Sequence, residues 1–291
     1  MKSVRICVAA ITAGVVCIAV MLGILSAAIY AENESGDSFI GLMYHQVLKD
    51  ESRAGKYIIT PGELESDLAY LSENGYVSVL PSQLVKIREQ GGRLPEKTVV
   101  ITFDDGYETG LYYVLPLLKK YGMKAVINVV GSYTDEYSRI NEEGKHLSYA
   151  YLTWNEIKKL SDSGYVEIGN HTYNMHSYNG DRNGCARKEN ESDEQYRTVL
   201  YEDVARLSDK LQRVTGKRPV AFAYPFGSLS EGSAEIIGSA GISVFMTCCE
   251  QPCSMNRNGR IVINRYNRES GRTAQQICEE FNLSLIHISE P

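Results

Sequence analysis

Two acidic residues follow an apolar stretch in the first half of the chain. Residues 102–106 read Thr-Phe-Asp-Asp-Gly, so Asp104 and Asp105 come directly after the apolar residues 99–103. Neighbouring side chains of an ideal strand point to opposite faces, so both carboxylates can address one centre only where the backbone leaves strand geometry. Gly106 permits that departure. The motif indicates either a functional centre or a solvated turn between a strand and a helix.

Two histidines follow a second predicted strand, residues 166–169. His171 and His176 are two of the five histidines in the chain. Residues five apart on a helix point about 140° away from each other, so a loop or turn must display this pair. Either histidine alone would be interpreted as a surface residue or a hydrogen-bonded structural one. Two imidazoles beside the carboxylates of residues 104–105 fit a metal site of two imidazoles and one carboxylate, with coordination positions left open.

Two further strand ends carry residues of chemical interest. Residues 42–46 read Leu-Met-Tyr-His-Gln and contain His45, which by itself is interpreted as structural. Residues 222–227 read Phe-Ala-Tyr-Pro-Phe-Gly, where a strand runs into a turn whose backbone N–H groups could meet an oxyanion. A plain turn is the alternative for this segment. Together, four strand ends present groups that are useful for one reaction.

The elements that must position these groups alternate regularly. From residue 39 onward, apolar runs alternate with amphipathic segments, which predicts repeated strand–helix units. Seven or eight such units predict an α/β fold, either a parallel barrel or an open sheet, with its chemistry at the carboxyl ends of the strands. Two polar stretches, 131–150 and 177–193, are predicted to be rim loops. The predicted strands are 39–44, 76–79, 98–103, 125–130, 166–169, 220–223, 242–246 and 261–264, and the predicted helices are 61–74, 81–90, 110–121, 153–163, 194–215 and 231–240.

These motifs in this order resemble the polysaccharide deacetylase family, the NodB-homology or carbohydrate esterase family 4 enzymes. The resemblance covers residues 39–268. The early Met-Tyr-His motif and the five-residue step between histidines are similar to the branch that deacetylates poly-N-acetylglucosamine in biofilm matrices. The resemblance implies a deformed (β/α) barrel of about seven parallel strands.

The resemblance also implies roles for individual residues. Asp105, His171 and His176 would hold a divalent metal, for which zinc is the first choice and iron, cobalt, nickel and manganese are also suitable. Asp104 would be the catalytic base. His45 would be the acid that protonates the departing sugar nitrogen.

Further roles concern the oxyanion, the base and the sugar. The backbone N–H of Phe226 would stabilise the oxyanion. Ala223 stands where many family members carry an arginine that orients the base, and Arg265 is a candidate to replace it. Aromatic side chains near the rim are candidates for binding the sugar. The three substrate-binding candidates are Tyr173, Tyr224 and Trp154.

The function implied is hydrolysis of a linear amide C–N bond. The substrate would be a cell-surface polysaccharide that contains N-acetylglucosamine, either poly-N-acetylglucosamine or peptidoglycan, and acetate would be released. One alternative is a deacetylase of another acetylated glycan, such as xylan. Another is a catalytically silent carbohydrate-binding or scaffold protein with the same fold. A net charge of -6 and the absence of a Lys/Arg-rich run exclude nucleic acid as a partner.

The N-terminal segment has the pattern of a membrane anchor. Lys2 and Arg5 precede an uncharged run over residues 6–31, which exceeds the roughly 20 residues that a helix needs to cross a bilayer. We therefore expect one N-terminal transmembrane helix in residues 1–31, a linker over 32–38, and a catalytic domain over 39–282 outside the cell. Cleavage after the small residues 26–28 would instead give a secreted protein.

The last nine residues and the cysteines receive separate interpretations. Residues 283–291 match the translation of a common sequencing-library adapter, so we expect the natural chain to continue differently after Asn282 and assign no role to His287. Five of the seven cysteines lie outside the N-terminal segment, an odd number that predicts no complete disulfide framework. Cys249 and Cys253 have the spacing of half a metal site, but no second pair completes it. The oligomeric state is left open.

Overall fold

A computed structural model describes residues 37–140, 146–177, 182–256 and 259–289. Contacts divide the chain into two units, Met1–Asp37 and Ser38–Pro291, and all described helices and strands lie in the second. The predicted transmembrane helix falls outside the described residues. Within the described ranges, no helix has the length and apolar character needed to cross a bilayer. The anchor and the linker therefore stay predictions.

The strands of the described ranges form one large sheet and one small one. Most are short, and the longer ones lie in the first half of the domain. The strands are β1 (Ser38–Tyr44), β2 (Gln46–Val47), β3 (Ile58–Ile59), β4 (Val77–Ser78), β5 (Thr98–Phe103), β6 (Ala125–Val129), β7 (Val166–Asn170), β8 (Ala221–Ala223), β9 (Val244–Met246), β10 (Cys253–Ser254), β11 (Ile261–Ile263) and β12 (Arg265–Asn267).

The large sheet closes into a barrel of parallel strands. Its order is β1, β5, β6, β7, β8, β9 and β11, all paired in parallel. β12 begins one residue after β11 and pairs in parallel with β1. Since only Asn264 separates them, β11 and β12 act as one strand that joins both edges of the sheet. The predicted barrel of about seven parallel strands is confirmed, with the deformation at β7 and β8, which share one paired position.

Helices pack around the barrel, and the six predicted ones begin and end within two residues of their predicted bounds, apart from the start predicted at Gly110. Thr60 and Glu63 form a capping box, and Gly122 and Gly216 end two helices in the left-handed conformation. Pro116 lacks an N–H, and the turn before it, Gly110–Val114, is π-helical where the sequence predicts regular helix. The helices are α1 (Pro61–Glu73), α2 (Pro81–Glu89), α3 (Leu115–Tyr121), α4 (Gly131–Tyr137), α5 (Trp154–Asp162), α6 (Asp193–Thr215), α7 (Ser233–Ser239) and α8 (Ala274–Ser289).

Two of these helices differ from the expectation. α4 lies in a stretch predicted to be a rim loop, and its Asp135 is held by Lys210 of α6, a tertiary contact that the local sequence does not reveal. α8 was not predicted, although its buried residues Ala274, Ile277, Cys278 and Phe281 recur at helical spacing. α8 runs on through residues 283–289, whose origin in an adapter stays a prediction.

Strand β5 shows how the core positions chemistry. Val99 and Ile101 belong to the outer hydrophobic layer beneath the helices, whereas Val100 belongs to the layer inside the barrel. Thr102, which has the same strand parity as Val100, is fully buried. Asp104 continues this inward-facing row at the carboxyl end of the barrel.

Candidate functional site

The turn after β5 leaves strand geometry where the sequence predicts it. Asp105 and Gly106 have φ angles of 71° and 73°. A Cβ on Gly106 would lie only 3.0 Å from the Val129 side chain, so this close approach favours glycine. As a result, Asp104 and Asp105 both line one groove at the carboxyl end of the barrel.

Asp105 meets both predicted histidines in this groove. Its Oδ1 lies 3.0 Å from Nε2 of His176 and 3.5 Å from Nε2 of His171. Two ligands of a tetrahedral zinc ion, each about 2.0–2.1 Å from the metal, stand about 3.3 Å apart. Burial opposes ionisation of Asp105, but hydrogen bonds from the two imidazoles outweigh it and hold its pKa well below the usual range. The spacing and charge of this triad fit a divalent cation.

Partners behind the two imidazoles fix their orientation. Nδ1 of His171 lies 2.8 Å from the backbone oxygen of Ala223. A carbonyl oxygen only accepts hydrogen bonds, so Nδ1 carries a proton. Nε2, which faces Asp105, is then the nitrogen that would bind a metal once it has given up its own proton. The Tyr133 hydroxyl donates to the backbone oxygen of His176 and lies 3.4 Å from its Nδ1. Both imidazoles are thus held with Nε2 towards Asp105.

Asp104 is held by a buried arginine. Its Oδ1 accepts hydrogen bonds from Nη1 of Arg265 at 2.8 Å and from Nδ2 of Asn128 at 2.7 Å. Arg265 is fully buried and also donates through Nε to the backbone oxygen of Thr247. Burial raises the pKa of Asp104, but the Arg265 guanidinium, together with the charges of His171 and His45, outweighs burial and brings the pKa to about 2. Arg265 therefore occupies the position expected of a replacement for the arginine missing at Ala223.

His45 stands in the same groove, which has a volume of about 580 Å³. Burial lowers the pKa of His45, and its Nδ1 has no hydrogen-bond partner among the described residues. Its ring lies against that of Tyr57, with 4.7 Å between the centroids. The Phe226 ring lies 4.6 Å from that of His176, and Phe226 has a φ angle of 59°. The structure thus brings Phe226 and His45 to the groove that holds the triad.

Two of the three predicted sugar-binding residues lie elsewhere. The Tyr173 hydroxyl and the Trp154 indole N–H both donate to the carboxylate of Asp135, at 2.6 and 2.9 Å. Neither residue lines the groove, which corrects the expectation that they stack on a sugar there. Tyr224 does line the groove, and its hydroxyl lies 3.4 Å from Oγ of Ser233.

Several residues of the groove were missed from the sequence. Tyr57 is half exposed beside His45, and Tyr107 stacks on Tyr151 at 4.9 Å. Tyr107 follows the Asp-Asp-Gly motif directly, which is a usable signal, whereas no local pattern distinguishes Tyr57 from the other tyrosines. The missed residues that line the groove are Met43, Lys56, Tyr57, Tyr107, Cys248, Glu250 and Asn267.

The cysteines form no disulfide within the described residues. Cys185, Cys248, Cys249, Cys253 and Cys278 are all free. Among the described residues, the group of side chains that could hold a metal ion is Asp105, His171 and His176, which includes no cysteine.

Comparison with known proteins gives consistent matches. A family model described as polysaccharide deacetylase matches residues 91–245. A poly-beta-1,6-N-acetyl-D-glucosamine N-deacetylase of Escherichia coli K12 is 27% identical over 230 residues, which are 72% of this chain and 34% of the relative. A Staphylococcus aureus MRSA252 protein of the same name is 22% identical over 79% of this chain and 77% of its own. This chain thus spans about a third of the length of the E. coli relative.

A solved structure extends this likeness to three dimensions. A de-N-acetylase from Aggregatibacter actinomycetemcomitans superposes with a TM-score of 0.72 and 26% identity, over 84% of this chain and 99% of its own. The region matched by the family model begins after His45 and ends before Arg265. The likeness in structure therefore covers more of the barrel than the family model does.

Proposed function

Because this chain belongs to the polysaccharide deacetylase family, we propose that it removes acetate from a cell-surface polysaccharide containing N-acetylglucosamine. One observation carries the proposal: the Asp105–His171–His176 triad, the buried Asp104 and His45 line a single groove. The reaction needs a polarised carbonyl, a base and an acid, and this groove offers groups for all three.

The triad would hold a divalent metal, zinc by first choice. A metal bound there would polarise the acetamide carbonyl and lower the pKa of a water molecule. Two imidazoles and a carboxylate also suit iron, cobalt, nickel and manganese. Asp105 contributes the negative charge of the site, and the Ala223 carbonyl keeps Nε2 of His171 turned towards it.

Asp104 is the base in this proposal. Both of its described donors, Arg265 and Asn128, contact Oδ1, so Oδ2 is the oxygen that takes the proton of the attacking water. The remaining hydroxide oxygen forms a bond to the acetyl carbon. The backbone N–H of Phe226, at the turn after β8, is proposed to stabilise the negative charge on the carbonyl oxygen.

His45 supplies the acid. The amide nitrogen is a poor leaving group until it is protonated, so a proton donor is a chemical requirement of the reaction. The protonated imidazole of His45 gives its proton to that nitrogen as the C–N bond breaks and acetate leaves. Burial lowers the pKa of His45, and the carboxylates of Asp105 and Asp104 act in the opposite direction, towards the protonated form.

The nature of the polymer is proposed from the relatives. The E. coli and S. aureus relatives are named for poly-beta-1,6-N-acetyl-D-glucosamine, so we propose this polymer first and peptidoglycan second. Another acetylated glycan, such as xylan, is the next alternative. A silent scaffold is disfavoured by Asp104 and Arg265, because a fold without catalysis has no need of a buried, oriented base.

The test is acetate release by the purified full chain. β-1,6-linked N-acetylglucosamine oligomers, chitin oligomers, peptidoglycan fragments and acetylated xylan are compared, with Asp104→Asn as the matched variant. We expect release from the β-1,6 oligomers and its loss in Asp104→Asn. Equal traces of acetate from both proteins on every substrate would favour the silent scaffold.

We also propose that residues 1–31 hold the protein at the cell membrane with its catalytic domain outside. Support comes from the sequence alone, from the uncharged run after Lys2 and Arg5. Fractionation of cells tests this directly, because removal of residues 1–31 should move the protein out of the membrane fraction. Recovery of the intact chain in the cytoplasm would refute it.

A further inference from the structure

The two proposed metal-binding histidines are displayed by one short loop, residues 170–176, which we call the metal loop. Thr172 adopts a left-handed φ of 71°, which turns the chain between the histidines. The next two backbone amides, of Tyr173 and Asn174, donate to Oδ1 and Oδ2 of Asp203, at 2.6 and 2.8 Å. The Asp203 carboxylate on helix α6 therefore binds the backbone in the middle of the loop.

The chemistry of this contact requires a carboxylate. Two adjacent N–H donors need two acceptor oxygens, and an asparagine would present its NH₂ group to one of them. Burial raises the pKa of Asp203 to about 6, and Arg206 and Arg182 act in the opposite direction. Asp203 is thus ionised at neutral pH, and hydrogen bonds to an ionised acceptor are the stronger kind.

Helix α6 holds the loop at two further points. The Asn170 side chain donates to the backbone oxygen of Val204 and to Oγ of Ser208. The Arg206 guanidinium lies over the Tyr173 ring, 3.6 Å from its centroid, and donates to its hydroxyl. These contacts fix the start of the loop and the Tyr173 side chain, whereas Asp203 fixes the backbone between His171 and His176.

We propose that Asp203 is a positioning residue for the metal centre, setting the separation and direction of His171 and His176 through the loop backbone. The inference rests on the proposed function, because it presumes that these histidines bind a metal. Outer partners of metal ligands typically change metal affinity by about 10–100-fold when they are removed. Asp203 acts through the backbone and contacts neither the substrate nor the metal.

The experiment measures zinc affinity of the full chain by competition with a chromophoric chelator, after the protein has been stripped of metal. Asp203→Asn and Asp203→Ala are compared with wild type. Asp209→Asn is the matched control, because Asp209 is an exposed residue on the same helix that pairs with Arg218. The absorption spectrum of the cobalt-loaded protein reports ligand geometry, and thermal unfolding of the metal-free protein reports stability.

We expect the zinc Kd to rise about 10–100-fold in Asp203→Asn, with an altered cobalt spectrum and no change in Asp209→Asn. Unchanged zinc affinity and spectrum in a folded Asp203→Asn protein, with only a lower Tm, would overturn the inference. Asp203→Asn decides the matter if Asp203→Ala does not fold. A wild-type protein that binds no metal would instead refute the proposed function, so the two failures are distinguishable.

Discussion

Replacing Arg265 by methionine isolates the ion pair that orients the proposed base. Arg265 is fully buried and is 2.8 Å from Oδ1 of Asp104, which is itself 3% exposed. Removing one partner of such a pair leaves a buried charge without compensation and costs about 3–5 kcal/mol of folding free energy. Arg265→Met should therefore destabilise the domain by that amount.

The charge on Asp104 accounts for part of this cost. Its pKa is about 2 in the folded protein, against about 3.9 in an unfolded chain. At about 1.36 kcal/mol per pKa unit, the difference corresponds to about 2–3 kcal/mol. Because the folded pKa is the lower one, this stabilisation is complete above about pH 4 and is lost as the pH falls through about 2. The free energy of unfolding of wild type should therefore exceed that of Arg265→Met by less as the pH falls from about 4 to about 2.

Urea unfolding measures these changes through the fluorescence of Trp154, the single tryptophan. A double-mutant cycle with Asp104→Asn separates the pair from the other contacts of Arg265. We expect a coupling energy of about 2 kcal/mol or more. Arg260→Met, which removes a solvent-exposed pair with Glu235, should cost at most about 1 kcal/mol.

This reasoning is refuted if the effects of Arg265→Met and Asp104→Asn on the free energy of unfolding are additive. If Arg265→Met costs the same in the wild-type and Asp104→Asn backgrounds, the guanidinium does not stabilise the carboxylate, and its proposed role in orienting the base fails. The activity of Arg265→Met supplies a second readout. The acid limb of its pH–rate profile should lie at or above that of wild type, because the pKa of Asp104 rises when the guanidinium is lost.

Three other predictions concern the groove. His45→Gln should lower kcat on an N-acetyl sugar by about 100-fold or more while zinc affinity is unchanged, and a parallel loss of zinc would assign His45 to the metal instead. Tyr57→Ala should raise KM by about 10-fold with less effect on kcat, because the exposed ring beside His45 offers a sugar-stacking face, whereas Tyr57→Phe should behave as wild type. Chelation should abolish acetate release and zinc should restore it; activity that persists in metal-free protein would remove the triad from the reaction.

The residues that end long strands could be predicted from the sequence, because a strand fixes where its last side chain points. Asp104 follows the inward-facing Val100 and Thr102 of β5, and Gly106 supplies the turn that brings Asp105 to the same groove. The two histidines follow β7 in the same way. The convergence of these groups could therefore be inferred from the spacing of the strand ends, and periodicity predicted a parallel barrel or an open sheet. The choice of the barrel came from the family resemblance.

Aromatic residues were harder to place, because their function depends on partners far away in the chain. The sequence places Tyr173 and Trp154 close to the predicted rim loops. In the structure, both side chains donate hydrogen bonds to Asp135 of α4, a helix that local patterns did not reveal. Tyr57, by contrast, was not recognised as a groove residue. It lies in a loop after the short strand β2, and no strand end marks its position. Sequence spacing carries no signal for either arrangement.

The position of Arg265 depends on how the barrel closes. β11 pairs with β9, β12 pairs with β1, and Asn264 lies between them, so the segment that carries Arg265 is also the one that joins the two edges of the sheet. The closure needs glycine at position 41, because a Cβ there would lie 2.4 Å from the backbone oxygen of Asn264. Closing the ring therefore brings the guanidinium to Asp104 across the barrel interior. Orientation of the base is thus a consequence of the global topology, which explains why a local motif could not reveal it.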